Sequence, residues 1–239
     1  MQYQTQILTK SDCFKSSRAL TPKGIVVHST GVDQKRIRAY TDQWNRPGVR
    51  ACVHGMLGLD EAGELCYTQI LPYNIRCWGC GSGGRGSYNN SHIQFEICET
   101  LADGDWCHTT WEAALDVCEM LCRRFSIPAD KVVCHSEAHA LGYASNHADV
   151  MHWWPRHGLS MHGFRAALSE RLEAENMHRF KSIEEVPAAL QPETAQLIAA
   201  GVLCGRGEAG LDLTEDMLRT MIVCKRYADK LKGGEALAE

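Results

Sequence analysis

The sequence predicts an α/β fold: a single mixed central β-sheet flanked by helices, followed by a small C-terminal helical module. Two observations predict this class. Short apolar and β-branched runs of strand length alternate with helical patterns over most of the chain. After Met177 the composition changes, and two helix patterns follow one another. Hydrophobic residues make up 44% of the chain and charged residues 23%, a balance that favours a packed core.

The first part of the chain predicts a strand, a helix and a hairpin. Residues 24–30, GIVVHST, predict a buried strand, and residues 37–44 predict a short helix. The hairpin has one strand ending at Leu59, a turn around DEAGE, and a second strand over residues 65–70. The glycine-rich residues 79–90 lack the GK[ST] of a phosphate-binding loop and predict a flexible loop beside a site.

The later elements continue the alternation. Residues 92–98 predict a strand, and the amphipathic pattern after it predicts a helix whose N-cap is Thr109 or Thr110. Residues 131–137 predict another short strand, and residues 161–174 predict a helix. In an α/β sheet, ligands bind at the ends of the strands, so these ends are where a site is expected.

Side chains able to bind a metal fall near three predicted strand ends. His28, the pair Glu96 and Glu99, and His135 occupy these positions, and strand alternation places Glu99 on the face opposite Glu96. A catalytic zinc usually takes three protein ligands and leaves one position for water. His28 and His135 are two candidate ligands. Periodicity does not choose the third from the dense stretch that follows, which offers His139, His147, Asp149 and His152.

Charge and hydropathy exclude several classes of function. The net charge of −4 argues against a nucleic-acid-binding protein, and no apolar run has the length of a transmembrane helix. The N-terminal residues lack the basic-then-apolar layout of a signal peptide. We therefore expect no nucleic-acid or membrane partner, and cytoplasmic synthesis from which another route would release the protein.

Twelve cysteines are scattered along the chain, and several lie inside apolar patterns. We expect these to be buried, reduced thiols, with Cys52 and Cys98 on strands and Cys118 and Cys122 on a helix. CWGC, from Cys77 to Cys80, is a single CxxC without a second one. A redox or disulfide pair is therefore favoured there over a structural zinc site.

Three motifs in order resemble one protein family. GIVVHST, NNSHIQFEICE and CHSEAHALGYASNHADVMHWW resemble the N-acetylmuramoyl-L-alanine amidases related to peptidoglycan-recognition proteins and phage amidase-type lysozymes, over residues 24–171. The resemblance implies a Zn²⁺ cofactor held by His28, His135 and Asp149. Valine and methionine follow Asp149 where the family's acidic subgroup has proline and glycine, which leaves His152 as the rival third ligand.

The resemblance also implies roles for residues around the metal. Glu96 matches the catalytic glutamate and would act as general base. His147 would donate to the oxyanion and later protonate the leaving amine. Trp78, Asn89 and Trp153 are candidates for substrate binding, although core packing explains the tryptophans equally well. Relatives often carry a histidine directly after the tryptophan that Trp78 matches, but this sequence has Gly79 there. His54 matches another family histidine, which we interpret as structural.

These features predict an amidase domain over residues 1–175 and a small helical module over residues 176–239. In the module, Ser182 and Thr214 predict helix starts. The module weakly resembles surface-layer homology modules, which implies attachment to wall polymer or self-association as a possible homo-oligomer.

The leading hypothesis is a zinc-dependent hydrolase that cleaves the amide between N-acetylmuramic acid and L-alanine of peptidoglycan. Such an enzyme would act on the cell wall after release, as an endolysin or autolysin. The alternative is a non-catalytic peptidoglycan-binding protein of the same fold, although all three ligand positions are filled. A zinc deaminase is disfavoured because no P-C-x-x-C follows the H-S-E of CHSE.

Overall fold

A six-stranded mixed β-sheet forms the centre of the first of two structural units, as the sequence predicts. The computed structural model describes residues 1–176, 179–203 and 211–235. The chain divides into the units Met1–Ser169 and Glu170–Glu239. Within the described ranges, no helix combines the length and apolar character that a membrane span requires.

The sheet has the strand order β1-β4-β3-β5-β2-β6, and every neighbouring pair is parallel except the β3–β4 hairpin. Its strands are β1 (Gln2–Thr5), β2 (Gly24–Asp33), β3 (Gly55–Leu59), β4 (Leu65–Gln69), β5 (His92–Glu99) and β6 (Val132–Cys134). The helices of the first part of the chain are α1 (Asp12–Ser16), α2 (Arg38–Trp44), α3 (Gly104–Phe125), α4 (His135–Ala140), α5 (Val150–Trp153) and α6 (Met161–Asn176). The predicted hairpin and the predicted helix at residues 37–44 are confirmed to within a residue.

The register of the central strands brings residues that are distant in the sequence to the same level of the sheet. Ile25, Val26 and Val27 of β2 are fully buried, as expected of a parallel strand covered on both faces. In the register, His28 lies opposite Glu96 of β5, and Val27 lies opposite Cys134 of β6. The next residue of the chain after Cys134 therefore emerges level with His28.

The strand predicted over residues 131–137 is too long, because β6 ends at Cys134 and His135 begins α4. The Glu137 carboxylate accepts a hydrogen bond of 3.2 Å from the Cys134 backbone N–H, which satisfies a free donor at the start of the helix. His135 is thus the first residue of a helix rather than part of a strand.

The predicted N-cap of α3 is wrong. The helix begins at Gly104, and the Asp103 carboxylate accepts a 2.9 Å hydrogen bond from the Trp106 backbone N–H. Thr110 lies inside the helix, where its hydroxyl donates to the Trp106 carbonyl at 2.9 Å. The sequence pattern misleads because the first buried helical residues, Trp106 and Cys107, precede the two threonines.

Cysteine pairing also differs from expectation. Cys52, expected to be reduced, forms a disulfide with Cys13. Cys77 and Cys80 are both buried free thiols, so the favoured pairing within CWGC is wrong. Burial raises the pKa of both thiols.

The second unit contains a small helical core. A short antiparallel pair, β7 (Arg179–Phe180) and β8 (Leu213–Thr214), accompanies α7 (Gln191–Ala199) and α8 (Glu215–Glu235). The Thr214 hydroxyl accepts from the Met217 backbone N–H at 3.2 Å, whereas Ser182 precedes only a short 3₁₀ turn and makes no side-chain cap bond. The predicted glycine-rich turn between the two helices falls largely outside the described residues. The predicted boundary at residues 175/176 stays a prediction.

Replacing the observed cap tests the start of α3. We expect Asp103→Ala to lower the free energy of unfolding by about 1 kcal/mol, because an orphan helix N–H loses its acceptor. Asp103→Ser should retain most of the stability, and Thr109→Ala should be neutral or slightly stabilising. Denaturant unfolding measures all three variants. A Thr109→Ala variant that loses as much stability as Asp103→Ala would contradict the assignment.

Candidate metal centre

A cleft of about 390 Å³ opens where β2 and β5 and the start of α4 meet. Its lining includes His28, Gly79, Glu96, His135, His147, Asp149 and His152. The parallel register of β2 and β5 places His28 level with Glu96, and the loop that leads into α5 brings in Asp149. Most of the sequence-predicted site residues therefore share one cavity.

Three of the candidate ligands converge on a single point. Asp149 Oδ2 lies 2.6 Å from His28 Nδ1 and 3.0 Å from His135 Nδ1, and the two Nδ1 atoms are 3.1 Å apart. Both histidines are almost completely buried, at 1% and 3% exposure. Two imidazoles and a carboxylate form a donor set typical of catalytic zinc sites.

The outward nitrogens of both histidines are held by protein groups that accept hydrogen bonds. His28 Nε2 lies 2.9 Å from Gln94 Oε1, which can only accept. His135 Nε2 lies 3.3 Å from the Ser145 hydroxyl, which donates its own proton to the Cys80 carbonyl at 3.3 Å. Each neutral imidazole therefore carries its proton on Nε2 and presents a lone pair on Nδ1.

Three lone-pair donors facing one another repel unless a proton or a cation lies between them. Burial lowers the pKa of His28, but the hydrogen bond and charge of Asp149 outweigh burial and raise it overall. Burial likewise raises the pKa of Asp149, but hydrogen bonds from His135 and His28 hold it well below its usual range. The chemistry of the donor set thus fits a divalent cation.

The two rival third ligands differ in backbone conformation and in the contacts of their side chains. Asp149 adopts φ 46° just before α5, a left-handed conformation that costs a non-glycine residue about 1–3 kcal/mol and turns the chain at this point. His152, one turn later, instead places Nε2 2.9 Å from Glu99 Oε1. Glu99 is buried and does not line the cleft.

Glu96 lies beside the three converging atoms with an unsatisfied carboxylate. Its Oε2 atom is buried and has no hydrogen-bond partner among the described residues. Burial raises the pKa of Glu96 to about 7, against the opposing effect of the His28 charge. A carboxyl group with a pKa near neutrality can both accept and return a proton at physiological pH.

The remaining predicted site residues are placed differently. His147 is exposed at the cleft, with its ring centroid 4.9 Å from that of His135. Trp78 is 41% exposed and lines a neighbouring cavity of about 220 Å³ together with Asn89. Trp153 is fully buried, because α5 turns its ring into the core, so its predicted role as a cleft wall is wrong.

Sequence reasoning missed Gln94 and Ser145, the two residues that hold the histidines from behind. Neither side chain titrates or binds zinc in common motifs, so motif spacing does not select them. One signal was available for Gln94: it occupies a position on the same face of β5 as Glu96, two residues earlier. His54, interpreted as structural, donates from Nε2 to the Ile75 carbonyl and accepts on Nδ1 from the Gln94 backbone N–H.

The fold and the cleft define an α/β protein with a candidate metal centre where two internal strands of a mixed sheet meet the start of a helix. A model of the N-acetylmuramoyl-L-alanine amidase family matches residues 18–154. The chain belongs to this family, which confirms the resemblance seen in the sequence. Among curated proteins, the N-acetylmuramoyl-L-alanine amidase CwlA of a Bacillus species is 33% identical over 69 residues. That match covers 29% of this chain and only 28% of CwlA.

Solved structures share the fold at low sequence identity. PlyL is 20% identical, with a TM-score of 0.56, over 70% of this chain and 97% of its own. The hydrolase AmiA of Staphylococcus aureus, in complex with its ligand, is 20% identical, with a TM-score of 0.57, over 72% of this chain and 83% of its own. The catalytic domain of XlyA is 23% identical, with a TM-score of 0.52, over 70% and 99% of the two chains.

The raised pKa of Glu96 predicts that the free energy of unfolding of the metal-free protein depends on pH. Between the unfolded value of 4.5 and about 7, the folded state binds more protons than the unfolded state, so stability falls as pH rises through this window. With metal removed by a chelator, Glu96→Gln should be more stable than the parent at pH 8, by about 1–3 kcal/mol, and lose this advantage near pH 4.

Denaturant unfolding at the two pH values measures the effect. Glu64→Gln, at an exposed position of the hairpin turn, is the matched control and should change stability little at either pH. An advantage of Glu96→Gln that is the same at both pH values would contradict the titration of this carboxyl.

Proposed function

We propose that the protein is a zinc-dependent hydrolase that cleaves the amide between N-acetylmuramic acid and L-alanine of peptidoglycan. One observation carries the proposal: the lone pairs of His28, His135 and Asp149 converge beside a buried glutamate whose pKa is near 7. Membership of the amidase family supports the same substrate class. His28, His135 and Asp149 would hold the zinc ion, and a bound zinc would supply Lewis-acid polarisation of the scissile carbonyl.

Glu96 is the proposed general base. Its unsatisfied Oε2 would take a proton from the attacking water. His147, exposed beside His135, would donate a hydrogen bond to the oxyanion that develops on the carbonyl and later protonate the leaving amine of L-alanine. Gln94 and Ser145 would keep both ligand histidines in the tautomer that presents Nδ1.

Trp78 is the proposed substrate-binding aromatic. The guanidinium carbons of Arg18 and Arg50 lie 5.1 and 5.7 Å from its ring centroid, and Arg18 and Arg76 line the adjoining cavity. Stacking on the indole restrains two flexible cations. A ring flanked by arginines suits a carboxylate-bearing part of the stem peptide. The side chain of Asn89, also proposed for substrate binding, is hydrogen-bonded to the backbone of the loop. It would therefore act on the substrate indirectly.

The cellular role is proposed to be that of an endolysin or autolysin acting on the cell wall after release. The module at residues 176–239 would attach the chain to wall polymer or to a second copy. On α8, Val223, Tyr227 and Leu231 lie one turn apart and are each more than half exposed, which supports a binding face there. Sedimentation over a range of concentrations separates self-association from a monomeric state.

The direct test is amide cleavage by the whole chain. Zinc-loaded protein incubated with Gram-positive peptidoglycan should release new L-alanine N-termini, and a chelator should abolish the release. His28→Ala should be inactive because a ligand is lost. Glu96→Gln should lower the rate by about 10²–10⁴-fold while zinc binding persists.

Two outcomes would overturn parts of this scheme. Zinc-loaded protein that co-sediments with peptidoglycan but releases no N-termini would support a non-catalytic binding protein instead. Full activity in His28→Ala would contradict the metal-site assignment.

His147 and Trp78 should affect different kinetic parameters. On a soluble muramoyl peptide, His147→Ala should lower kcat by about 10²-fold, since a donor to the transition state is lost. Trp78→Ala should raise KM about fivefold with little change in kcat, as expected for the loss of an aromatic contact of about 1 kcal/mol. Trp78→Phe should recover most of the affinity. A change of kcat alone in Trp78→Ala would rule out the binding role.

A further inference from the structure

Among the described residues, the Gln94 amide is the only hydrogen-bond partner of His28 Nε2, the ring nitrogen that faces away from Asp149 and His135. We propose that Gln94 is a positioning residue that fixes the ring and tautomer of His28 as a metal ligand, and that Gly79 is required to leave space for this amide. The inference rests on the proposed metal centre. It does not depend on which bond the enzyme cleaves.

Both ends of the Gln94 amide are occupied inside the protein. Oε1 lies 2.9 Å from His28 Nε2, and Nε2 donates to Asn89 Oδ1 at 2.9 Å. The residue is fully buried on β5, and its backbone N–H donates to His54 Nδ1 at 3.0 Å. The side chain thus bridges the loop of residues 79–90 and a ligand histidine, with its own main chain anchored.

The orientation of the amide is determined by backbone groups whose polarity is unambiguous. Asn89 Oδ1 accepts from the backbone N–H groups of Gly79 and Cys80, both at 3.1 Å, and Asn89 Nδ2 donates to the Gly81 carbonyl at 3.0 Å. Because Asn89 Oδ1 is an acceptor, the group of Gln94 that faces it must be the NH₂. Gln94 Oε1 therefore faces His28 and selects the Nε2–H tautomer.

Gly79 leaves the room that this arrangement needs. A Cβ at Gly79 would lie 2.5 Å from Gln94 Oε1 and 2.9 Å from a methyl carbon of the buried Val53. The backbone at Gly79 is not in the left-handed region, so alanine can adopt its conformation. A side chain at Gly79 would consequently press most closely on the amide oxygen, which must move away from His28, and also on Val53.

A purely structural role for Gln94 makes a different prediction. If the amide only filled space and satisfied the loop, an apolar side chain of similar volume would change stability but leave the metal affinity unchanged. If it orients the ligand, the affinity falls with the loss of the acceptor, since groups that hold a metal-binding histidine typically contribute 10–100-fold.

Zinc affinity, measured by competition with a chromophoric chelator, separates the two roles. We expect Gln94→Met and Gly79→Ala each to bind zinc 10–100-fold more weakly than the parent. The double variant should bind no more weakly than Gln94→Met alone, because the added methyl then has no amide to displace. Full additivity of the two losses would overturn the link between Gly79 and Gln94.

Gly84→Ala is the matched control. It lies on the same glycine-rich loop with nothing within 4 Å of an added Cβ and no left-handed φ, so its zinc affinity should equal that of the parent. Thermal unfolding of each metal-free variant verifies folding, and if Gln94→Met does not fold, Gly79→Ala carries the test. Folded variants that bind zinc within twofold of the parent would overturn the proposal.

The absorption spectrum of the cobalt-substituted protein gives a second readout, since it responds to ligand geometry. We expect it to change in Gln94→Met and to stay unchanged in Gly84→Ala. A parent that binds zinc without cleaving peptidoglycan would refute the proposed function and leave this inference standing. A parent that binds no zinc would overturn both.

Discussion

Three lone pairs directed at one point are the constraint on which the rest of the first unit depends. His28 Nδ1, His135 Nδ1 and Asp149 Oδ2 would drive one another apart if nothing held them. The parallel register of β2, β5 and β6 brings the two histidines level with each other and with Glu96. Hydrogen bonds at the outer nitrogen of each imidazole then oppose a change of tautomer or a rotation of the ring, either of which would turn the lone pair away.

The glycine-rich loop is connected to these converging atoms through a chain of hydrogen bonds. It carries no phosphate-binding chemistry, and its backbone N–H groups instead hold Asn89, which holds Gln94, which holds His28. Gly79 lies on this loop directly against the Gln94 amide, in a space that a side chain at this position would enter.

The centre also concentrates features that destabilise a folded chain. Glu96 has a buried oxygen without a partner, Asp149 has a left-handed backbone, and two histidines meet at 3.1 Å. Each costs free energy in the absence of a cation, and a bound cation relieves the repulsion among the donor atoms. The fully buried centre of the sheet around Ile25, Val26 and Val27 supplies the rigidity that lets such an arrangement persist.

Local patterns in the sequence determined the alternation of strands and helices, the hairpin, and the positions of His28 and His135, because periodicity and motif order depend on residues close in the chain. The same patterns misplaced the start of α3, since a cap is defined by where the backbone bonds begin rather than by which threonine is near. Cysteine pairing was equally hidden, because Cys13 and Cys52 are 39 residues apart.

Only the tertiary structure shows that Asp149 and His152 make different contacts and that Trp153 is buried. The three residues lie within five positions of one another, yet Asp149 Oδ2 meets both histidine Nδ1 atoms, His152 Nε2 lies 2.9 Å from Glu99 Oε1, and Trp153 lies in the core. The contact of Gln94 also required the tertiary structure, because it joins Gln94 to His28, 66 residues away in the chain. The sequence by itself determined which chemical groups were present; the register of three strands and one backbone turn decided which of them meet.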